Sequence, residues 1–289
     1  MTTSTNGPAT QRGRPCALIT GASSGLGQAF AERLAADGHD LIVVARRQDR
    51  LHTLADRLGH AHGTATQVLV ADLTAPQDLR RVEAQITAGP ALDLLVNNAG
   101  FGGYRPFLQL DPDRAEDLIR LQVLAMTRLT RAALPAMVAR GRGALINVSS
   151  QLAFSAALPA PPLPPGRAVY AATKAYVNAF TQLLAGELAG TGVQVQALCP
   201  GVMPTEFYAH MGIDVERLPI PAMEPSAVVR ASLAGLQADE VLCVPGLDDA
   251  SALDGLRAAE RRILEQAWTT RLAVKRLTGS AAAAGQQQS

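Results

Sequence analysis

Short runs of consecutive apolar residues recur along this chain, each followed by a longer stretch in which apolar positions return every three or four residues. Runs such as Leu41-Ile42-Val43-Val44 have no polar face, as a strand buried between two helix layers requires. The pattern predicts strands over Cys16–Thr20, Leu41–Ala45, Ala65–Val70, Leu92–Asn97, Ala144–Val148, Val193–Cys199 and Val241–Val244. It predicts helices over Gly25–Asp37, Gln48–Leu58, Pro76–Thr87, Pro112–Arg140, Ala168–Ala189 and Pro225–Ala238. This alternation predicts a single α/β domain with a doubly wound parallel sheet. A further helix after Leu247 carries Leu253, Leu256, Ile263 and Leu264, which suit packing on the sheet edge or on a partner subunit. The expected divisions are a disordered tail over 1–14, the α/β domain over 15–248, a helical extension over 249–278 and a low-complexity tail over 279–289.

The composition allows a sizeable core: 289 residues, 48% hydrophobic and 18% charged. A formal net charge of +1 gives no reason to expect nucleic acid or an anionic membrane as partner. No apolar run reaches the ~18 residues that span a bilayer, and the polar start, Met1 to Pro15, lacks the apolar stretch of a secretory signal. Cys16, Cys199 and Cys243 fall in separate predicted strands and suit reduced core thiols in a cytoplasmic protein. His60 and His62 fall in a stretch, Gly59–Gly63, that reads as a loop with no matching ligands nearby, so no metal is expected.

Candidate chemistry gathers just after the strands, where ligands of such sheets bind. The first strand runs into Thr20-Gly21-Ala22-Ser23-Ser24-Gly25-Leu26-Gly27, after which a helix opens. Glycines there let the backbone approach a pyrophosphate at the helix N-terminus. The second strand ends Val44-Ala45-Arg46-Arg47, with Ala45 where an acid would hold the ribose 2′-hydroxyl of NAD. Two guanidiniums match phosphate oxygens and predict NADP(H), although they also suit a solvated helix start. The chain has 26 basic residues but only two lysines, and one of these lies four positions after a tyrosine, in Tyr170-Ala171-Ala172-Thr173-Lys174. On a helix that spacing puts ammonium beside phenol, about 5–6 Å apart between Cβ atoms. A nearby cation lowers a phenol pKa toward working pH and suits it to proton exchange with a substrate oxygen.

With Gly21/Gly25/Gly27, Asn97-Asn98-Ala99-Gly100, Ser150, Tyr170-x-x-x-Lys174 and Pro200-Gly201 in this order, the chain resembles the short-chain dehydrogenase/reductase family over roughly Arg14 to Leu247. The resemblance implies a Rossmann-type fold of seven parallel strands, a nicotinamide cofactor, and hydride transfer between an alcohol and a carbonyl carbon. It implies cofactor contacts from Gly21, Ser23, Ser24, Gly25, Leu26 and Gly27, and from Arg46 and Arg47. Asp72 and Leu73 would meet the adenine, with a helix-capping acid the alternative for Asp72, and Asn98, Ala99 and Gly100 would lie along the cofactor. Pro200, Gly201 and Val202 would wall the nicotinamide, with Thr205 beside it. Tyr170 would be general acid in reduction and base in oxidation, and Lys174 would lower its pKa and hold the ribose hydroxyls. Ser150 would hydrogen-bond the substrate oxygen, with Ser149 the alternative. A homodimer or homotetramer would form through the helices over Pro112–Arg140 and Ala168–Ala189.

Two features depart from the family pattern. Gln122 stands where an Asn usually supports a water relay to the Lys. Ser150 and Tyr170 are separated by an insert rich in proline, Leu158–Gly166, expected to be stiff and either to wall the substrate pocket or to face solvent. Glu206–Pro225 is an apolar connection in the position of a lid, which suggests an apolar or bulky small-molecule substrate or else plain core packing. The rival readings are an epimerase or dehydratase on the same fold, and an NADP(H)-sensing binding protein disabled at Gln122.

Overall fold

The structure, a computed structural model, describes residues 13–159 and 166–269. Its strands are β1 Cys16–Thr20, β2 Asp40–Ala45, β3 Thr66–Val70, β4 Leu94–Asn97, β5 Gly143–Val148, β6 Val193–Leu198 and β7 Leu242–Cys243. They form one sheet in the order β3-β2-β1-β4-β5-β6-β7, every neighbouring pair parallel. The α-helices are α1 Gly25–Ala36, α2 Gln48–His62, α3 Pro76–Ala88, α4 Pro112–Ile119, α5 Met126–Arg140, α6 Ala168–Glu187, α7 Glu206–Ala209, α8 Pro225–Gln237 and α9 Ser251–Ala267. The strand order reverses between β1 and β4, where a doubly wound sheet opens its ligand crevice.

Successive strand residues face opposite sides of a sheet, and here both sides are buried. Ala17 and Ile19 of β1 and Leu41 and Val43 of β2 join one core with Phe30 and Leu34 of α1 and Val228 of α8. Leu18 of β1 and Ile42 and Val44 of β2 join the opposite core with Val82 of α3, Met137 of α5 and Leu184 of α6. This is why the strands read as unbroken apolar runs rather than alternating ones.

Two sequence expectations change. The stretch Gly59–Gly63 is not a loop, because α2 continues to His62 on the buried row Leu51, Leu54 and Leu58. It stops only where Gly63 adopts φ 61 and its N–H bonds the Gly59 carbonyl, a left-handed cap. His60 and His62 therefore sit on the last helical turn. The single helix expected over Pro112–Arg140 is interrupted by a π-helical turn, Arg120–Ala125, between α4 and α5. π-Helical turns are rare and often mark functional sites. This one carries the buried Gln122.

Residues through Gly246 form one compact unit that holds the whole sheet, and a second unit begins at Leu247. Its described helix, α9, has no buried residue. No helix among the described residues is long and apolar enough to cross a membrane.

Candidate active site

A cleft of about 580 Å³ runs along the carboxyl ends of the strands. On its first side lies the turn between β1 and α1. Gly21 has φ 69, and a Cβ on Gly27 would sit 2.4 Å from the Gly21 carbonyl oxygen and 2.5 Å from Asn98 Nδ2. Only glycine lets α1 start against this turn. Gly21, Ser23, Ser24, Gly25 and Leu26 line the cleft, while Gly27 serves the packing under it. Asn98 fastens β4 to β1: its Nδ2 donates to the Thr20 carbonyl at 2.9 Å, and the Thr20 hydroxyl accepts from the Asn98 and Ala99 amides.

At the end of β2, Arg47 donates from Nη2 to Ser24 Oγ at 2.6 Å and from Nη2 and Nε to Ser23 Oγ at 2.9 and 3.1 Å. Arg46 is more exposed and pairs with Asp72 at 3.7 Å. Burial pushes the Asp72 carboxyl up, but two hydrogen bonds from Thr74 and the Arg46 charge outweigh it and hold it below its usual range. Arg46, Arg47, Asp72, Leu73, Asn98, Ala99, Gly100, Pro200, Gly201 and Thr205 all line the cleft. Val202 does not line it; Met203 does, and the Val202 carbonyl is engaged by the Met223 amide at 2.7 Å.

Ser150, Tyr170 and Lys174 meet at the other side of the cleft. Ser149, the alternative to Ser150, is buried and donates its hydroxyl to the Lys174 carbonyl at 3.0 Å. The Ser150 hydroxyl instead lines the cleft beside Tyr170, accepts from the Leu152 amide at 3.1 Å and acts to lower the pKa of the Tyr170 phenol. Lys174 Nζ donates to the Val148 carbonyl at 2.9 Å and lies 5.6 Å from the centre of the Tyr170 ring. Helical spacing thus brings amine and phenol together, but the expected lowering of the phenol is not found. Burial pushes Tyr170 well above its ordinary range, and Ser150 and Tyr104 pull it back only in part. Burial also pushes the Lys174 ammonium down to about 8. A low-dielectric wall penalises charge on both groups.

Gln122 is brought to this side but not to the cleft itself. Its Nε2 donates to the Phe101 carbonyl at 2.7 Å, and its Oε1 accepts from the Thr173 hydroxyl at 2.8 Å. It thereby ties the loop after β4 to α6. A void of about 10 Å³ lies between Gln122, Lys174, Asn97 and Thr20, and Asn97 Oδ1 has no protein partner.

The same motifs run the length of a known family pattern: the profile described as short chain dehydrogenase matches residues 15–215. The chain belongs to the short-chain dehydrogenase/reductase family. Among solved structures of this family, it is 39% identical to a short-chain dehydrogenase from Sphingobium yanoikuyae in complex with NADPH, covering 90% of this chain and 98% of that one, TM-score 0.84. It is 32% identical to the bulky-bulky ketone specific alcohol dehydrogenase from Comamonas testosteroni, covering 92% and 99%, TM-score 0.81. Among curated short-chain dehydrogenase/reductase relatives, the very-long-chain 3-oxoacyl-CoA reductase of Bos taurus is 34% identical over 66% of this chain and 60% of its own length. The inactive hydroxysteroid dehydrogenase-like protein 1 of Homo sapiens is 31% identical over 67% of this chain and 57% of its own length. The match thus spans less than two thirds of those relatives.

Several residues at this short-chain dehydrogenase/reductase site were not foreseen. Tyr104 meets Tyr170 edge to face; Phe207, within the connection expected as a lid, approaches the Tyr170 ring to 5.9 Å between centroids. Glu206, at the start of the lid, pairs with Arg47 at 2.6 Å and Arg50 at 2.5 Å. Arg114 lies 3.7 Å over the Phe101 ring. The Pro-rich insert falls mostly outside the described residues. Its flanks are tied together by Arg167, which donates to the Ser155 carbonyl at 3.1 Å and the Leu158 carbonyl at 2.5 Å.

Proposed function

We propose that the protein is an NADP(H)-dependent oxidoreductase that interconverts a bulky, largely apolar carbonyl compound and its alcohol. The observation that carries this reading is the convergence of Tyr170, Ser150 and Lys174 on a cleft whose opposite side presents Ser23, Ser24, Arg46 and Arg47. The residues fit a dinucleotide bearing a 2′-phosphate: no acid stands at Ala45, and two guanidiniums follow it. The NADPH-bound relative supports the cofactor, and the bulky-ketone relative supports the substrate class.

The nicotinamide supplies or accepts the hydride. Tyr170 gives a proton to the carbonyl oxygen in reduction and takes it back in oxidation. Ser150 donates a hydrogen bond to the same oxygen as its charge grows. Lys174, with one N–H engaged by Val148, has donors left for ribose hydroxyls. Phe207, Tyr208 and Met211 of the lid give the substrate end apolar walls.

The test follows reduced-nicotinamide absorbance against ketones, aldehydes and secondary alcohols. Turnover of bulky ketones with a higher kcat/KM for NADPH than for NADH is expected, and Tyr170→Phe should lose roughly 10²–10⁴-fold in kcat. Tight NADPH binding without oxidation by any carbonyl compound would instead favour a sensor. Gln122 and the relative named inactive keep that second reading open. Exposed Leu124, Val138, Tyr176 and Leu183 on and beside α5 and α6 suit a homo-oligomer contact, and a monomer by light scattering would refute it.

A further inference from the structure

Arg47 is almost fully engaged within the protein. A guanidinium carries five N–H groups. Here Nε and Nη2 serve Ser23 and Ser24, and Nη1 serves Glu206 Oε2 at 2.6 Å. One N–H remains, too few for the paired contact that phosphate makes with arginine. The other Glu206 oxygen takes Arg50 at 2.5 Å. The hydrogen bonds and charges of Arg47 and Arg50 hold the Glu206 carboxyl at about 2, so it stays anionic at any working pH.

Glu206 does not belong to the cofactor half of the fold. It opens α7, at the start of the lid, directly after Thr205, whose Cγ2 lies 3.2 Å from where a Cβ on Gly25 would be. The next residue, Phe207, packs against the Tyr170 ring. One side chain therefore ties the lid to the two arginines, while its neighbour rests on the catalytic tyrosine.

We infer that Glu206 is a built-in competitor of the cofactor's 2′-phosphate for Arg47, so that a 2′-phosphorylated dinucleotide binds by displacing it and unlatching the lid. The inference rests on the NADP(H) reading. A second anion brought to Arg47 faces the carboxylate at close range, and like charges so placed cost affinity. A dinucleotide with a free 2′-hydroxyl has no charge there and leaves the latch closed.

The full chain and Glu206→Gln are titrated calorimetrically with 2′,5′-ADP and with 5′-AMP, neither of which carries nicotinamide. Glu206→Gln should tighten 2′,5′-ADP by about 10-fold or more, the removal of one close like-charge contact, and leave 5′-AMP within about two-fold. In parallel, 2′,5′-ADP but not 5′-AMP should speed tryptic cleavage after the exposed Arg217 of the lid, and in Glu206→Gln that cleavage should be fast without ligand. Unchanged or weaker binding of 2′,5′-ADP by Glu206→Gln overturns the competitor and makes Glu206 a residue that positions Arg47. If the wild type fails to prefer 2′,5′-ADP but Glu206→Gln does prefer it, the competitor stands in stronger form. If neither protein prefers it, the NADP(H) reading falls and the competitor with it.

Discussion

Tyr104 and Tyr170 meet edge to face, ring centroids 5.1 Å apart at 88°. The Tyr104 hydroxyl side of this contact lowers the Tyr170 pKa against the larger upward push of burial. Tyr104→Phe keeps the ring contact and removes the hydroxyl. The Tyr170 phenolate then becomes harder to form, so the acid limb of the kcat profile for alcohol oxidation should move to higher pH. A polar contact worth about 1 kcal/mol corresponds to roughly five-fold lower kcat at neutral pH. An unshifted profile would show that Tyr104 only packs.

Lys174 makes a stability prediction with a definite sign. Its folded pKa of about 8 lies below the ordinary lysine value of 10.5. Between those values the unfolded chain holds more protons than the folded one, so this group adds stability as pH rises and its cost is complete below about 8. Urea unfolding of wild type minus Lys174→Met, without cofactor, should therefore favour wild type increasingly from pH 8 to pH 10.5, by at most about 3 kcal/mol. A flat difference across that window would mean that Lys174 is not desolvated.

Gln122 uses both ends of its amide, on Phe101 and on Thr173, while nearly fully buried. Asn is one methylene shorter and cannot hold both. Gln122→Asn should lose about 1–3 kcal/mol through the unpaired group, read as a lower melting temperature. The swap that restores the family's usual residue should thus weaken this particular chain.

Gly27→Ala places a methyl group against the Gly21 carbonyl and the Asn98 amide. Helix α1 must then shift off the turn at a cost of about 1–3 kcal/mol. Dinucleotide affinity should fall more than stability does, because Gly21, Ser23 and Ser24 ride on that turn. Calorimetry with NADPH beside thermal melting separates the two effects.

Much of this architecture could be read in advance because burial on both sheet faces leaves an unmistakable trace in runs such as Leu41-Ile42-Val43-Val44. The cleft could be read because its chemistry follows strand ends at fixed spacings. Local conformation was less visible. The π-helical turn keeps the apolar period of its neighbours in Leu121-Gln122-Val123-Leu124, so nothing marks it. The true stop of α2 was Gly63, but Gly59 and two histidines before it read as loop. Tyr104 and Glu206 were invisible for another reason. Their roles depend on how two irregular connections fold back over the cleft, and no periodicity encodes that path. The lowered Tyr170 pKa failed because spacing reveals a neighbouring cation but not how dry the place is.

Strand β1 lies mid-sheet, and its second partner comes late: Ala17 pairs with Leu94. During synthesis the segment Cys16–Thr20, all of it destined for the interior, must wait for β4 to emerge. Until then one flank of β1 is an open ladder of amides and carbonyls, the kind of edge on which chains stick together. Fragments ending before Leu94 should therefore accumulate as insoluble material, and slow translation across α3 should cost yield even though it leaves the finished protein unchanged.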